Sequence, residues 1–244
     1  MKRISLIVPC LNEEEAIPAF KQEIDRVFKE CLEGYAPELI FVDDGSTDRS
    51  LEMIKKMAEH SPEVKFISFS RNFGKEAAIY AGLEAATGDY AAVMDVDLQD
   101  PPSLLPDMLK AIEKEGYDCA GTRRVTRQGE PLLRSFFARA FYKTIHQISD
   151  TRIVDGARDY KLMTRPVLEA LLSLKEYNRF SKGLYEWVGF RTKWFEYENV
   201  ERVAGETKWS FFKLFLCSIE GIVAFSTAHL ALASIMGVLL TFIS

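Results

Sequence analysis

The sequence predicts an α/β protein with a mostly parallel central sheet flanked by helices. Two observations support this class: short apolar runs alternate with longer amphipathic stretches, and turn-forming residues separate one from the next. Alternating strands and helices are typical of βαβ units, whose right-handed crossovers cover the sheet with helices. With 244 residues, 48% of them hydrophobic, the chain is long enough for one domain with a large core and an appendage.

The individual elements follow from these runs. Strands are expected over residues 4–9, 38–42, 64–69, 90–93, 118–122 and 193–200, and a polar loop at 155–162 is expected to enter one more short strand. Helices are expected over residues 12–32, 76–86, 102–114, 132–148, 165–174 and 181–189, with another after the turn at 45–48. Acidic residues 13–15 are expected in the first turn of the first helix, where negative charge interacts favourably with the helix dipole.

The composition excludes several classes of function. A net charge of −5 leaves no basic excess of the kind that binds nucleic acid. The four cysteines are scattered without a Cys-x-x-Cys pair, which indicates reduced thiols of an intracellular protein. The apolar run at the N-terminus is too short for a signal peptide, and acidic residues follow it at once.

The C-terminal stretch differs from the rest, so we predict a catalytic domain over residues 1–208 and an appendage over 209–244. Residues 221–244 contain no Asp, Glu, Lys or Arg, and a bilayer crossing needs about 20 apolar residues. The preceding stretch, 209–220, resembles an amphipathic interfacial helix with Trp209 at the level of the headgroups. We therefore expect an interfacial helix followed by the start of a membrane helix whose remainder is missing; the alternative is a buried core helix.

Acidic residues follow the predicted strand at 90–93. Asp95 and Asp97 are expected to share one side of the chain, at the end of the strand where open α/β sheets bind ligands. Two carboxylates there could hold a hard divalent cation, which in turn could hold a diphosphate. An isolated Asp-x-Asp is more often a solvated loop, so the interpretation depends on the neighbouring strands.

Two other strand ends carry similar groups. Asn12 and Glu13 follow the first strand, and Asp43 and Asp44 follow the second. Carboxylates that converge on one sheet edge repel each other unless a cation or sugar hydroxyls lie between them, which favours a ligand site over helix caps. The sequence has neither a Gly-x-Gly-x-x-Gly nor a Gly-x-x-x-x-Gly-Lys motif, so a metal and arginines are left to hold phosphates.

Arginines crowd the stretch after the fifth strand, at positions 123, 124, 127, 134 and 139. Such a run is usually a solvated basic face. Near an anionic membrane each basic side chain contributes about 1 kcal/mol, and guanidinium groups bind phosphate bidentately. We expect one or two of them, Arg123 first, to reach a diphosphate or lipid phosphate.

Taken in order, these stretches resemble family 2 glycosyltransferases with the GT-A fold. The resemblance covers residues 1 to about 210, and it rests on Pro9 with Asn12-Glu13, on 43–48, on 71–75 and on Asp95-x-Asp97-x-Gln99-Asp100-Pro101-Pro102. The last motif narrows the resemblance to the polyisoprenyl-phosphate glycosyltransferases, the group of dolichol-phosphate mannose synthase and the GtrB- and ArnC-like enzymes. One departure is Arg158, which stands where this group usually has glycine.

The resemblance implies roles for particular residues. The donor pocket would contain Pro9, Asn12, Glu13, Asp44, Lys75, Asp95 and Gln99. Asp95, Asp97 and Gln99 would hold Mg²⁺ or Mn²⁺. Asp97 and Asp159 would be the catalytic residues. The acceptor phosphate would be bound by Arg123, Arg158, Arg202, Thr207 and Lys208.

The implied activity is inverting transfer of a sugar, with UDP-glucose as the expected donor, to undecaprenyl phosphate at the cytoplasmic face of the cell membrane. The resemblance also implies a homotetramer. A phosphate monoester is mostly dianionic at neutral pH, so we expect Asp159 to orient the acceptor and take only a residual proton. A family 2 transferase for a soluble saccharide, and an inactive membrane scaffold with the same fold, remain the alternatives.

Overall fold

The computed structural model describes residues 1–124, 154, 156–176, 179–197, 234 and 239–241, and a seven-stranded sheet organises these ranges. The strands are β1 (Lys2–Cys10), β2 (Tyr35–Asp43), β3 (Val64–Ser68), β4 (Tyr90–Val93), β5 (Cys119–Arg124), β6 (Ala157–Thr164) and β7 (Thr192–Tyr197). The helices are α1 (Ile17–Cys31), α2 (Ser50–His60), α3 (Lys75–Ala85), α4 (Leu105–Glu115), α5 (Arg165–Ser173) and α6 (Ser181–Trp187). A single 3₁₀ turn, Pro102–Leu104, precedes α4.

The sheet has the order β3-β2-β1-β4-β6-β5-β7 and is mostly parallel. Strands β1 to β4 pair in parallel, as do β5 and β7, whereas β6 runs antiparallel to both of its neighbours. The register of β6 on β4 pairs Val93 with Lys161. In an antiparallel pair, residue numbers rise along one strand as they fall along the other. Two residues beyond the Val93–Lys161 pair, the same register therefore places Asp95 opposite Asp159.

Apolar side chains fill both faces of the sheet. Ile4, Leu6 and Val8 alternate with Ile7 along β1, so the first three join one core and Ile7 joins the other. The first core includes buried side chains of α1 and α4, and the second includes those of α3, α5 and α6. Strands buried on both faces explain why the sequence shows continuous apolar runs there.

The first helix corrects one prediction. It begins at Ile17, not at residue 12, and its first turn contains no acidic residue. Asn12 has a left-handed φ of 54°, and the backbone N–H groups of Asn12 and Glu13 donate to Ser46 Oγ and Ser50 Oγ. Because their N–H groups are bound by side chains of the loop after β2 and of the first residue of α2, residues 12–15 form an irregular segment at the sheet edge.

A second correction concerns residues 155–162, which were expected to form a polar loop. Most of that range belongs to β6, which begins at Ala157 and extends for eight residues. The predicted helix at 132–148 and most of 209–244 lie outside the described residues. Within the ranges that are described, no helix has the length and apolar character needed to span a bilayer.

Candidate active site

The loops after β1 and β2 are bound to each other at the carboxyl edge of the sheet. Asn12 Oδ1 accepts the N–H of Thr47 at 2.7 Å, and Glu14 N–H donates to Asp48 Oδ2 at 3.3 Å. Together with the bonds from Asn12 and Glu13 to Ser46 and Ser50, these contacts make one rigid unit of the two loops. A left-handed φ at a non-glycine residue costs of order 1–3 kcal/mol, and these bonds hold Asn12 in that conformation.

Asp44 positions the loop that follows β3. Its buried carboxylate accepts the N–H of Phe73 at 2.7 Å and of Gly74 at 3.0 Å. Gly45, with φ of 74°, lies so close to this loop that a Cβ there would be 2.6 Å from the carbonyl carbon of Arg71. Gly74 is the residue before α3, so Asp44 fixes the start of that helix.

Lys75, the first residue of α3, lies between two carboxylates. Its Nζ is 2.6 Å from Asp95 Oδ1 and 2.5 Å from Asp159 Oδ2. Asp95 belongs to the loop after β4, and Asp159 to β6, so the ammonium joins the two elements that the antiparallel register brings level. On its other side, Asp159 Oδ1 is 3.7 Å from Lys182 Nζ, which α6 supplies.

These contacts set the charge of the group. Burial alone would raise the pKa of Asp159, but the ammonium groups of Lys75 and Lys182 hold it well below its usual range. Burial alone would lower the pKa of Lys75, and Asp159 and Asp95 instead raise it. Asp159 and Lys75 are therefore charged at neutral pH, and Asp159 is a weak proton acceptor.

Asp97 and Gln99 lie in the next part of the same loop. Asp97 is buried, and its Oδ1 accepts the N–H of Gln99 at 3.1 Å. Leu98 between them has a left-handed φ of 57°, which a bulky residue rarely adopts. Asn12 and Leu98 are the non-glycine residues with positive φ in the described ranges, and both lie at this edge of the sheet.

Arg158, which was expected to bind the acceptor phosphate, is paired with a carboxylate of the protein. Its Nε donates to Asp100 Oδ1 at 3.0 Å, and the hydroxyl of Tyr197 also donates to that oxygen. Burial raises the pKa of Asp100, and the guanidinium of Arg158 opposes this. The arginine that replaces glycine here therefore anchors the loop at 95–100 to β6.

The other predicted residues divide into two groups. Arg123 pairs with Glu196 of β7, so the arginine expected to reach phosphate first is bound by a carboxylate of the neighbouring strand. Pro9 is half-buried within β1, opposite Val42. Arg202, Thr207 and Lys208 lie outside the described residues.

Lys182 and Tyr197 were not identified from the sequence as residues near the site. A single lysine on a short helix and a tyrosine on a strand carry no local signal, because their contacts lie 23 and 97 residues away in sequence. In the described part of the chain, no group of three or more His, Cys, Asp and Glu side chains is arranged to hold a metal ion.

Comparison with known proteins agrees with this geometry. The sequence profile of "Glycosyl transferase family 2" matches residues 5–172, well over half of the chain. The chain belongs to this family. It is 42% identical over 241 residues to the putative glycosyltransferase CsbB of Bacillus subtilis, covering 99% of this chain and 72% of that protein. It is 41% identical over 242 residues to the bactoprenol glucosyl transferase of Shigella phage SfV, covering 99% and 78% respectively.

A solved structure gives the fold. The glucosyl-3-phosphoglycerate synthase of Mycobacterium tuberculosis, in complex with Mn²⁺ and UDP-glucose, superposes with a TM-score of 0.54 at 19% identity. The match covers 89% of this chain and 75% of that one. The GT-A fold and the family expected from the motifs are therefore confirmed for this glycosyltransferase.

Proposed function

We propose that this glycosyltransferase moves glucose from UDP-glucose to polyprenyl phosphate. The observation that carries the proposal is the charged group at the carboxyl edge of the sheet, where Asp95, Lys75 and Asp159 meet beside the buried Asp97. Nearly full-length similarity to a bactoprenol glucosyl transferase supports glucose as the sugar and a polyprenyl lipid as the acceptor.

The donor nucleoside would bind along the loops after β1 and β2. Pro9, Asn12 and Glu13 would contact the nucleoside there, and Asp44 would act through the loop it fixes. Since both Asp44 oxygens accept backbone N–H groups, its contribution is to place Gly74 and hence Lys75. Lys75 supplies positive charge beside the diphosphate, where a charge-assisted hydrogen bond is strongest.

The residues after β4 fit a Mg²⁺ or Mn²⁺ ion. Carboxylate and amide oxygens of Asp95, Asp97 and Gln99 are the ligands that hard cations prefer, and such ions commonly keep positions for substrate phosphates. The ammonium of Lys75 lies 2.6 Å from Asp95, so this carboxylate already attracts a cation. A divalent ion, when bound, neutralises the negative charge that develops on the departing UDP.

Asp159 acts by charge rather than by proton transfer. The acceptor phosphate is mostly dianionic at neutral pH and attacks without losing a proton. The lowered pKa of Asp159 makes it a poor proton acceptor, which argues against the residual-proton role expected from the sequence. Its task is to hold Lys75 and Lys182 in place, and attack opposite the leaving UDP would invert the anomeric carbon.

The enzyme would work at the cytoplasmic face of the cell membrane. A polyprenyl phosphate keeps its chain in the bilayer and exposes only its phosphate, so the carboxyl edge of the sheet must face the lipid surface. The uncharged sequence at 221–244 supports an anchor there, because a run of that length is enough to begin a crossing.

Radiolabelled UDP-glucose and undecaprenyl phosphate in phospholipid vesicles test the proposal. We expect the label to enter the organic phase with the wild type in the presence of Mn²⁺ or Mg²⁺, and to remain aqueous with EDTA or with Asp97→Asn. UDP-GlcNAc and GDP-mannose, offered in parallel, should react at least tenfold more slowly. Label that is released only as free glucose, or that enters a soluble saccharide, would overturn the assignment.

A further inference from the structure

The site contains a row of alternating charges that extends beyond the residues expected to bind substrate. It begins at Asp95 and continues through Lys75 and Asp159 to Lys182, with closest N–O distances of 2.6, 2.5 and 3.7 Å. The first three members lie in the stretches that carry the family resemblance, whereas Lys182 lies outside those stretches. Its position at the end of the row suggests a separate task.

The start of α6, which carries Lys182, is tied to the start of α3, which carries Lys75. The carboxylate of Glu76 accepts the N–H of Ser181 at 3.1 Å and also the Ser181 hydroxyl. Glu76 follows Lys75 directly, and Ser181 precedes Lys182 directly. The two lysines are therefore held at a fixed separation across the carboxylate of Asp159.

The other end of α6 is held by Lys161, which lies on β6 two residues after Asp159. Its ammonium is 3.3 Å from Glu186 Oε1 and lies 4.6 Å from the centre of the Tyr185 ring. The side chain of Lys161 is 2% exposed, so this is an internal contact. With both ends of α6 fixed, Lys182 keeps its place beside Asp159.

Lys182 is the more available of the two lysines. Lys75 bridges two carboxylates at hydrogen-bonding distance, whereas Lys182 lies beyond hydrogen-bonding distance of its single carboxylate partner among the described residues. Its side chain is 28% exposed, close to the 32% of Lys75, so the two lysines differ in their pairing and not in their exposure. An ammonium that is positioned but loosely paired can accept a further anion without losing a strong contact.

We propose that Lys182 binds the phosphate of the acceptor, at the end of the row opposite the donor diphosphate. This inference rests on the proposed function. The donor end is fixed by Asp95 and Asp97, so a second phosphate must lie on the far side of Asp159, which is the side of Lys182. The ligand class is a phosphate monoester of a polyprenyl chain.

The charge balance of the reaction suits this arrangement. A phosphate oxygen of the acceptor forms a bond to the anomeric carbon, and the bond from that carbon to the UDP oxygen breaks with its electron pair leaving on UDP. The acceptor changes from a dianion to a monoanionic diester, while UDP gains one negative charge. Charge thus shifts from the Lys182 end of the row toward the Asp95 end, and the contact of Lys182 weakens as product forms.

Steady-state kinetics and direct binding on the full chain test the proposal. Lys182→Gln should raise the KM for farnesyl phosphate about 10- to 100-fold, as expected when a hydrogen bond to a charged group is lost. The dissociation constant for UDP with Mn²⁺ should stay within twofold of wild type in calorimetry. Lys182→Arg should recover much of the loss, because a guanidinium also binds phosphate.

Lys56→Gln is the matched control, since Lys56 lies on α2, is 69% exposed and pairs only with Glu52 among described residues. It should match wild type in every assay. An unchanged KM for farnesyl phosphate in Lys182→Gln would overturn the proposal, as would an equal weakening of UDP binding. If Lys182→Gln does not fold, Lys182→Met is measured by the same criteria.

Calorimetric titration of farnesyl phosphate into protein saturated with UDP and Mn²⁺ separates this proposal from the proposed function. Wild type that binds farnesyl phosphate through Lys182 but transfers no glucose would refute only the function. Wild type that binds no farnesyl phosphate would refute both. Wild type that transfers glucose, with Lys182→Gln equally efficient, would refute only the role of Lys182.

Discussion

Two carboxylates, Glu38 buried and Asp159 half-buried, lie toward opposite ends of the sheet, and each is paired with lysine. Glu38 of β2, toward the amino end, also accepts the hydroxyl of Ser5 and both the N–H and the hydroxyl of Thr87. Asp159 of β6, at the carboxyl edge of β4, has only the ammonium groups of Lys75 and Lys182 as partners among the described residues. Both carboxylates have lowered pKa values despite burial, which by itself would raise them.

The difference lies in what each carboxylate holds. The partners of Glu38 belong to β1, to β3 and to the turn before β4, so Glu38 joins these three parts of the chain to β2. The partners of Asp159 are long side chains that can turn toward a substrate anion without any change in the backbone. We infer that a carboxylate whose partners are mostly backbone and hydroxyl groups stabilises the fold, whereas one paired with two ammonium groups organises a site.

The largest effect expected at the carboxyl edge follows from Asp97→Asn. Removing this charge should lower kcat/KM for glucose transfer by about 10²- to 10³-fold, because a metal ion contributes several kcal/mol of charge stabilisation. The midpoint of urea unfolding should stay close to that of wild type. Loss of the fold in this variant would contradict the comparison, because Asp97 would then stabilise the structure as Glu38 does.

Lys75→Gln tests the same edge with a smaller effect. We expect a 10- to 100-fold higher KM for UDP-glucose, because a charge-assisted contact to the diphosphate is lost. The variant should also bind Mn²⁺ more tightly in the absence of donor, since an ammonium no longer competes for Asp95. Electron paramagnetic resonance of free Mn²⁺ measures this directly. Weaker Mn²⁺ binding would show that Lys75 and the cation do not share that carboxylate.

Glu38→Gln should have the opposite profile. It should lower the free energy of unfolding by about 1–3 kcal/mol, the usual cost of disturbing a buried hydrogen-bonded group, and leave kcat/KM unchanged. The pKa of Glu38 is about 2 in the folded chain against an ordinary value of 4.5, so its contribution is complete above pH 4.5. The contribution should vanish as pH falls toward 2.

Urea titrations of wild type and Glu38→Gln over this pH range provide the check. The difference between the two unfolding free energies should be constant from neutral pH to about 4.5 and should shrink below it. A difference that grows as the pH falls would have the wrong sign for a lowered pKa.

Much of the first half of the fold could be predicted from the sequence. The strand at 90–93 has the predicted bounds, because four apolar residues flanked by polar turns leave little choice. The predicted start of α1 was wrong, because the hydrogen bonds that hold Asn12 and Glu13 come from side chains at least 34 residues away. No local sequence pattern shows that distant side chains will accept hydrogen bonds from those backbone N–H groups.

The sequence identified individual residues of the site, but it did not predict which of them contact each other. Motifs identified Asp95, Lys75 and Asp159 separately. Their meeting depends on the antiparallel register of β6 on β4, which was missed because residues 155–162 look polar. Asp159 of β6 faces the site and Arg158 binds the loop at 95–100, so these charged residues interrupt the apolar pattern that marks a strand.

The most direct test of this account measures Asp159→Asn in the glucose-transfer assay and in urea unfolding, beside Glu38→Gln. The account predicts that Asp159→Asn loses about 10- to 100-fold in kcat/KM, shows no new ionisation between pH 5 and 8, and unfolds at nearly the same urea concentration as wild type. A folded Asp159→Asn protein that transfers glucose at the wild-type rate would contradict it.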